Sequence, residues 1–555
     1  MRKVLLCIPP HYDYNYPPLG TPALTAFLKN KGVPVKQIDL NLRYRDFLID
    51  HIYSPTLSRE EKKNYLAPTL KFFFQGKLKN RYYSKFLPRD SDGTCPYLPY
   101  DNNTNSSFYF TERLLSSKHL WRYLEDAHEN TFYQFYKKED ILGYLEKEKI
   151  DLLGISITSP SQAIASLTLG LLVKRHLPYI HVAIGGQWPT LYRKALLEGE
   201  DFFKCFDSIV VFEGETPLYG LVRALKEKRD ISIPNVLLKD AKSDLSNNHG
   251  EENLDLFPCP DFDGLPLKDY DGNQEEGITV TYETSRGCYW SKCAYCVDLP
   301  LPRLSYRRKS PKLVARDIRE LKKRYNAKFM MLSDPGLSPL QMLEVSKEIS
   351  RKKIDIGWWT MARLDAGFNR EIFKIARRAG LKRVNFGFES ASDRICDLFD
   401  KGNKAEQSAR IIKECSAAGI NVVLQTMLGL PKETYEDGLE TINFLISHND
   451  FISMVTFNEY YLTPANRIYI DPEKYGIKYS RDASLPFKFF TPFNNPYGMN
   501  KKEALLLEQL YYSLLAKIDA GHEEKDIGTT RDTWLELRLN GESARIDLSK
   551  DKRDG

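Results

Sequence analysis

Gly277-Ile-Thr-Val-Thr-Tyr-Glu-Thr-Ser-Arg-Gly-Cys288-Tyr-Trp-Ser-Lys-Cys293-Ala-Tyr-Cys296 decides how this chain is read. Gly277 to Tyr282 is an apolar, strand-like run, and Ser285-Arg286-Gly287 leads from it into a loop with three cysteines. Three thiolates this close hold three irons of a four-iron cluster. Full ligation by protein takes four cysteines, and no fourth lies nearby. One iron then stays open to an outside ligand, which implies chemistry, whereas a closed cluster more often implies electron transfer or structure. Zinc is the main rival. Structural zinc takes four ligands, usually from paired C-x2-C knuckles, and the nearest histidine, His249, lies far upstream. A disulfide fits less well, because the nine cysteines are odd in number and the chain has no secretory start.

The segment resembles the cluster-binding loop of radical S-adenosylmethionine (SAM) enzymes. The usual spacing in that family is C-x3-C-x2-C, and here the first gap is one residue longer. Tyr295 supplies the aromatic before the last cysteine. The resemblance implies a [4Fe-4S] cluster on Cys288, Cys293 and Cys296. SAM would chelate the remaining iron through its amino and carboxylate groups, with adenine against the backbone at Tyr295.

Downstream, strand patterns alternate with helical ones. The strands run Ile278 to Thr284, Phe329 to Leu332, Ile356 to Thr360, Arg383 to Phe388, Asn421 to Met427 and Ser453 to Tyr460. Six strands separated by helices predict a partial (β/α)6 barrel over about 275–465, with its site at the carboxyl ends of the strands. Motifs fall at those ends: Ser333-Asp334, Arg363, Gly387-Phe388-Glu389-Ser390 and Gly429-Leu430-Pro431. They resemble the ordered motifs of the same family, which implies SAM contacts. Glu389 and Ser390 are candidates for its ribose and amino end. Arg363 serves its carboxylate or a structural ion pair. Asp334 orients its ammonium or caps the next helix. Gly429 allows a close approach to adenine or only the turn before Pro431.

Upstream, residues 1–239 alternate strand and helix around a long insertion, about 43–136, which is polar and aromatic-rich and reads as helical or irregular. This is a doubly wound, Rossmann-like α/β signature. Ligands bind such sheets at strand carboxyl ends. The loops there hold Pro18 and Gly20, Ser156 and Ser159, Gly185-Gly186-Gln187 and Glu213-Gly214-Glu215. The order "PPLG", "GGQWPT" and "FEGE" resembles the cobalamin-binding domain of the B12-dependent radical SAM branch, which makes these residues candidate cobalamin contacts. The D-x-H-x-x-G motif that gives cobalt a histidine in many B12 proteins is absent, and His11 lacks that context. The resemblance therefore implies base-off cobalamin. Cys7, Cys95 and Cys205 lack the motif contexts of a methylthiotransferase.

Residues 240–274, charged and then rich in Pro and Gly, read as a linker. Residues 466–555 read as a mainly helical capping region that closes the barrel and shapes the substrate pocket, with a charged, mobile end from Glu542. A net charge of +6 over 555 residues makes no case for nucleic acid. Arg307-Arg308-Lys309 is a solvated loop or an anionic-cofactor contact. No run reaches the roughly 18 apolar residues of a membrane span, so a cytoplasmic setting is expected. The whole pattern resembles cobalamin-dependent radical SAM C-methyltransferases. That implies methylation of an unactivated carbon through a 5′-deoxyadenosyl radical, a small-molecule or peptide substrate, and a flavodoxin- or ferredoxin-type electron donor. A radical SAM cyclisation or rearrangement, with cobalamin non-methylating or absent, is the alternative.

Overall fold

The computed structural model describes residues 3–52, 117–127, 130–229, 231–239, 252–273, 277–296, 306–460, 462–464, 466–479, 491, 493–523, 534–539 and 542–547. The first sheet comprises β1 (Val4–Ile8), β2 (Val35–Asp39), β3 (Leu152–Ser156), β4 (His181–Gly185), β5 (Ser208–Val210) and β6 (Val236–Leu237), in the order β2-β1-β3-β4-β5-β6. The first five are parallel, and β6 adds an antiparallel edge that the sequence pattern did not reveal. Val-Leu-Leu-Cys-Ile in β1 is buried throughout, as a strand covered on both faces requires. The helix Ala163–His176 is buried from Ala163 to Val173 because a further helical layer covers it. In that layer Tyr136 donates to the Ala165 carbonyl at 3.0 Å and Asn130 to Thr168 Oγ1 at 3.0 Å. The expected insertion is helical where it is described, at Leu40–Ile52, Ser117–Glu125 and Thr131–Lys138. Its middle lies outside the described residues. The strand order reverses between β1 and β3, and this opens a crevice at their carboxyl ends.

The second sheet holds β7 (Thr279–Tyr282), β10 (Phe329–Leu332), β11 (Gly357–Arg363), β12 (Leu381–Glu389), β13 (Asn421–Leu428) and β14 (Met454–Glu459). All are parallel in the order β14-β13-β12-β11-β10-β7, an open six-strand barrel. A small hairpin of β8 (Ser285–Arg286) and β9 (Arg307–Arg308) sits beside it. Successive side chains point to opposite faces of a strand. Met330, Leu332, Trp358, Val384 and Phe386 accordingly enter the main core under the outer helices. Met331, Trp359, Arg383 and Asn385 alternate with them and line a cavity instead.

Of the stretch read as a linker, residues 252–273 form a packed strap between the two sheets. Phe262, Leu265, Leu267 and Tyr270 join the barrel core. Gln37 donates to the Asp261 carbonyl at 2.6 Å, and Tyr270 donates to Asp39 Oδ2 at 2.5 Å. Asp261 pairs with Lys29 of the first unit at 2.9 Å and with Arg324 of the second at 3.0 Å. After the barrel, helix Lys501–Glu523 buries Leu507, Leu510 and Tyr511. Tyr511 meets Phe457 of β14 with ring centroids 5.3 Å apart, so this helix covers the β14 edge of the barrel. Within the end read as mobile, Glu542–Asp547 (β16) pairs antiparallel with Trp534–Leu539 (β15), and the remainder lies outside the described residues.

Candidate active site

The two sheets direct their carboxyl ends at one cavity of about 690 Å³. Pro18, Gly20, Ser156, Gly185, Gly186, Gln187, Glu213, Gly214 and Glu215 line one end. Arg286, Gly287, Cys288, Ser333, Trp359, Arg383 and Asn385 line the other. Of the first-sheet candidates, Ser159 alone is not at the wall: it caps the short helix Pro160–Gln162, accepting from Ser161 N. The glycines are dictated by space. A Cβ on Gly186, whose φ is +106°, would stand 2.5 Å from the Ile157 carbonyl oxygen, and one on Gly154 would stand 2.7 Å from Leu6. Among the described residues no histidine lines the cavity. His11 is buried beside it against the Tyr44 ring.

The cysteine loop is held from several directions. Ala294 N donates to the Phe399 carbonyl at 2.9 Å, Arg467 N donates to the Ala294 carbonyl at 3.1 Å, and Trp290 Nε1 donates to the Asp400 carbonyl at 2.7 Å. Gly402 must lack a side chain, since a Cβ there would lie 2.3 Å from the Trp290 ring. Cys288, Cys293 and Cys296 form no disulfide. A tetrahedral zinc site with Zn–S of about 2.3 Å brings its sulfurs within roughly 4 Å of one another. Among the described residues the group whose ligand atoms all lie within 4.8 Å is Cys259, Asp317 and Glu320, not the loop cysteines. The loop sulfurs are therefore spread more widely than zinc takes.

Arg363 ends β11 beneath this loop. Its guanidinium stacks 4.3 Å from the Trp290 ring centroid, its Nη1 lies 3.5 Å from Cys293 Sγ, and its Nη2 donates to the Lys401 carbonyl. Its Nε is buried without a partner. Glu389 ends β12 at a register shift, with φ of +67°, a conformation non-glycine residues rarely hold without a reason. Its Oε1 meets Lys401 Nζ at 2.9 Å. Gly387 leaves room for that pair, because its Cβ would come within 2.9 Å of both atoms. Tyr295, whose phenol is pushed well up by burial and then by the Glu389 charge, lies over Phe399 with Lys401 Nζ near its ring.

Other candidates are engaged inside the protein. Asp334 accepts from Thr284 Oγ1 at 2.8 Å, from Ser285 Oγ at 2.5 Å and from Thr284 N at 3.1 Å. It fastens the root of the cysteine loop, and Ser338, not Asp334, caps the next helix. Ser390 Oγ lies 3.0 Å from Thr441 Oγ1 and stabilises the turn after β12. Gly429, with φ of +81°, forms the turn before Pro431. That turn closes on Glu433, whose Oε2 accepts from Leu430 N at 3.0 Å.

Sequence reading missed the charges that join the two units. Arg286 Nη2 meets Glu215 Oε1 at 2.5 Å and Glu283 Oε1 at 2.7 Å, and Arg286 Nη1 meets Glu213 Oε2 at 3.4 Å. Arg307 pairs with Glu213 as well. Burial alone would raise the Glu215 carboxyl, but the Arg286 charge and hydrogen bond outweigh it and leave it lowered. Glu213 and Glu215 thus line the cavity and also bind the hairpin that carries the cysteines. A repeated E-x-E against R-x20-R gives no local signal of this pairing.

Residues 282–445 match the sequence model of the radical SAM superfamily. The chain is 27% identical over 311 residues to an uncharacterised methyltransferase of Pyrococcus horikoshii, covering 55% of this chain and 66% of that protein. It is 26% identical over 368 residues to the anaerobic magnesium-protoporphyrin IX monomethyl ester cyclase of Rubrivivax gelatinosus, covering 64% of each. The matched stretch is thus slightly under two thirds of either relative's length. Among solved structures, the radical SAM methyltransferase TsrM from Kitasatospora setae, with tryptophan and a SAM analogue bound, superposes at a TM-score of 0.62 and 16% identity. That superposition covers 96% of this chain and 92% of TsrM. A second TsrM structure, with cobalamin and a [4Fe-4S] cluster, superposes at 0.58 and 14% identity, covering 92% and 91%. With its cysteine loop at the mouth of an open six-strand barrel and a parallel sheet set over that mouth, the chain carries a radical SAM superfamily match over residues 282–445 and shares the fold of TsrM, solved with cobalamin and a [4Fe-4S] cluster.

Proposed function

We propose that this protein is a cobalamin-dependent radical SAM methyltransferase that modifies an unactivated carbon. One observation carries the reading: a single cavity of about 690 Å³ has glycine-rich sheet loops at one end and Cys288 at the other. The volume falls in the range of cofactor sites, and two separate sites would not need a shared chamber.

The residues present fit the groups. Cys288, Cys293 and Cys296 would hold three irons, and Arg363 Nη1, close to Cys293 Sγ, suits a thiolate there. The buried, unpartnered Arg363 Nε and the Glu389–Lys401 pair give SAM charged groups of both signs. Gly20, Gly154, Gly185 and Gly186 all line the cavity and offer bare backbone against which a flat macrocycle can lie. The absence of histidine from the described wall suits cobalamin bound base-off. When bound, the cluster and SAM supply reductive cleavage of a sulfonium, and cobalamin supplies a transferable methyl group. The chain's own work is positioning and exclusion of water. The Tyr16 ring from the first unit meets the Trp359 ring of the barrel 5.9 Å away, which narrows the chamber between its two ends.

A second reading, a radical SAM cyclase, is favoured by the Rubrivivax relative, itself a cyclase. Anaerobic reconstitution with iron, sulfide and hydroxocobalamin separates the two. Retained corrinoid, together with 5′-deoxyadenosine formed from SAM and methyl transfer from isotopically labelled SAM, supports the methyltransferase. SAM cleavage without methyl transfer favours the cyclase. The triple variant Cys288→Ala/Cys293→Ala/Cys296→Ala should release no 5′-deoxyadenosine, and release at the parental rate would sink both readings.

A further inference from the structure

The cysteine loop emerges from a two-rung hairpin, one rung of which sets two arginines against each other. In β8 and β9, Arg286 is the register partner of Arg307. Like charges opposite one another on paired strands are destabilising, so this rung needs counter-charge. Glu213, from the other sheet's loop, binds both arginines. Glu215 and Glu283 bind Arg286. The side chains of Arg286, Glu213, Glu215 and Glu283 are 14%, 16%, 6% and 17% exposed, so water screens them little. Glu215 opens the helix Glu215–Glu227, where a negative charge also suits the helix N-terminus, so it is anchored to the first unit. Arg286 stands two residues before Cys288, with only Gly287, at φ of +77°, between them. Glu213, Gly214, Glu215, Arg286, Gly287 and Cys288 all line the same cavity.

We propose that Arg286 is a positioning residue through which the Glu213-Gly214-Glu215 loop of the first sheet sets the placement of Cys288. The hairpin base closes only when the carboxylates of the other unit neutralise its arginine rung. Whatever displaces that loop, a corrinoid above all, then acts on the cysteine loop. The corrinoid clause rests on the function proposed above; the link from Glu215 to Cys288 does not.

The test uses the full chain without cofactors. Each cysteine's rate of alkylation by iodoacetamide is read by peptide mass spectrometry, with circular dichroism checking the fold. Glu215→Gln and Arg286→Gln should alkylate Cys288 about tenfold faster than the parent, the scale of a lost coupled ion network. Cys415, buried on the outer helix Ala405–Ala417 away from the rung, should be unchanged, and Arg286→Lys, keeping the charge without the fork, should fall between. Glu283→Gln removes a charge of the same network from the cysteines' own unit and should change the rate by less than about twofold. An unchanged rate in Glu215→Gln, or an equal rise in Glu283→Gln, overturns the proposal. In a second arm, the reconstituted cluster's electron paramagnetic resonance spectrum should respond to hydroxocobalamin in the parent and not in Glu215→Gln. An equal response in both overturns the coupling. A parent that retains no corrinoid overturns the cofactor reading, while the alkylation result still decides the role of Arg286.

Discussion

Lys401 Nζ stands 2.9 Å from Glu389 Oε1, and the two side chains are only 6% and 13% exposed, so an enclosed ion pair secures the strained end of β12. Removing one partner of such a pair strands the other charge, at about 3–5 kcal/mol. Lys401→Met should therefore lower the unfolding free energy of the full chain by that order in urea titrations. The double variant Lys401→Met/Glu389→Gln should recover much of the loss. A double variant as unstable as the single one would mean that packing, not charge, is at stake.

Glu433 gives a pH signature. Burial lifts its carboxyl to about 8, against backbone hydrogen bonds from Leu430 and Gly429 that pull it down. The folded state therefore holds this proton more tightly than the unfolded chain does. Its contribution is complete below the usual carboxylate range and is lost as pH rises toward about 8. The loss is on the order of 5 kcal/mol at most. Urea midpoints should fall between pH 6 and pH 9 in the parent, with a smaller fall in Glu433→Gln. Parallel curves for the two proteins would contradict this.

Two glycines should respond differently to alanine. Gly186 combines φ of +106° with the Ile157 carbonyl 2.5 Å from its would-be Cβ, so Gly186→Ala should cost about 3 kcal/mol or more and impair corrinoid retention. Gly32 has φ of +73° but nothing within 4 Å, so Gly32→Ala should cost about 1 kcal/mol and leave retention intact. Equilibrium unfolding and corrinoid absorbance after gel filtration measure both.

With the proposed cluster bound at Cys293, Arg363 Nη1, 3.5 Å from that sulfur, would bear on it electronically. A hydrogen bond donated to a ligating sulfur raises a cluster's reduction potential. Arg363→Met should therefore lower it, on the order of 40 mV if the contact is worth about 1 kcal/mol. Potentiometric titration followed by electron paramagnetic resonance reads the shift, and iron content per chain controls for loss of the cluster itself. A potential at or above the parent's rules out this role.

Much of the fold was legible because buried strands announce themselves locally. Val4–Ile8 and Leu152–Ser156 are short apolar runs between turn residues, and the cavity glycines follow their strands directly. The cysteine loop stood out by its spacing, and its reading as a cluster site came from the family resemblance. Residues whose partners lie far off in sequence were not. Lys401 has no motif around it, and the Arg286 and Arg307 contacts to Glu213 depend on how two sheets meet. Asp334 and Ser390 carry polar groups that suit a ligand or a turn equally, and each also holds an internal partner, Ser285 and Thr441, that the sequence did not show. The strap was misread because its prolines and charges mask Phe262, Leu265 and Tyr270, whose burial appears only once both sheets are assembled.

That strap governs how the molecule can be taken apart. An excised barrel beginning near Gly277 would leave behind Phe262, Leu265, Leu267 and Tyr270, which complete its core, and would expose an oily seam to solvent. A fragment ending before Asn253 would leave Gln37, Lys29 and Asp39 facing lost partners. The two halves are therefore not beads on a string to be exchanged between homologues. Recombination or protease nicking that severs residues 252–273 should yield sticky, insoluble pieces, where a simple tether would release two well-behaved ones.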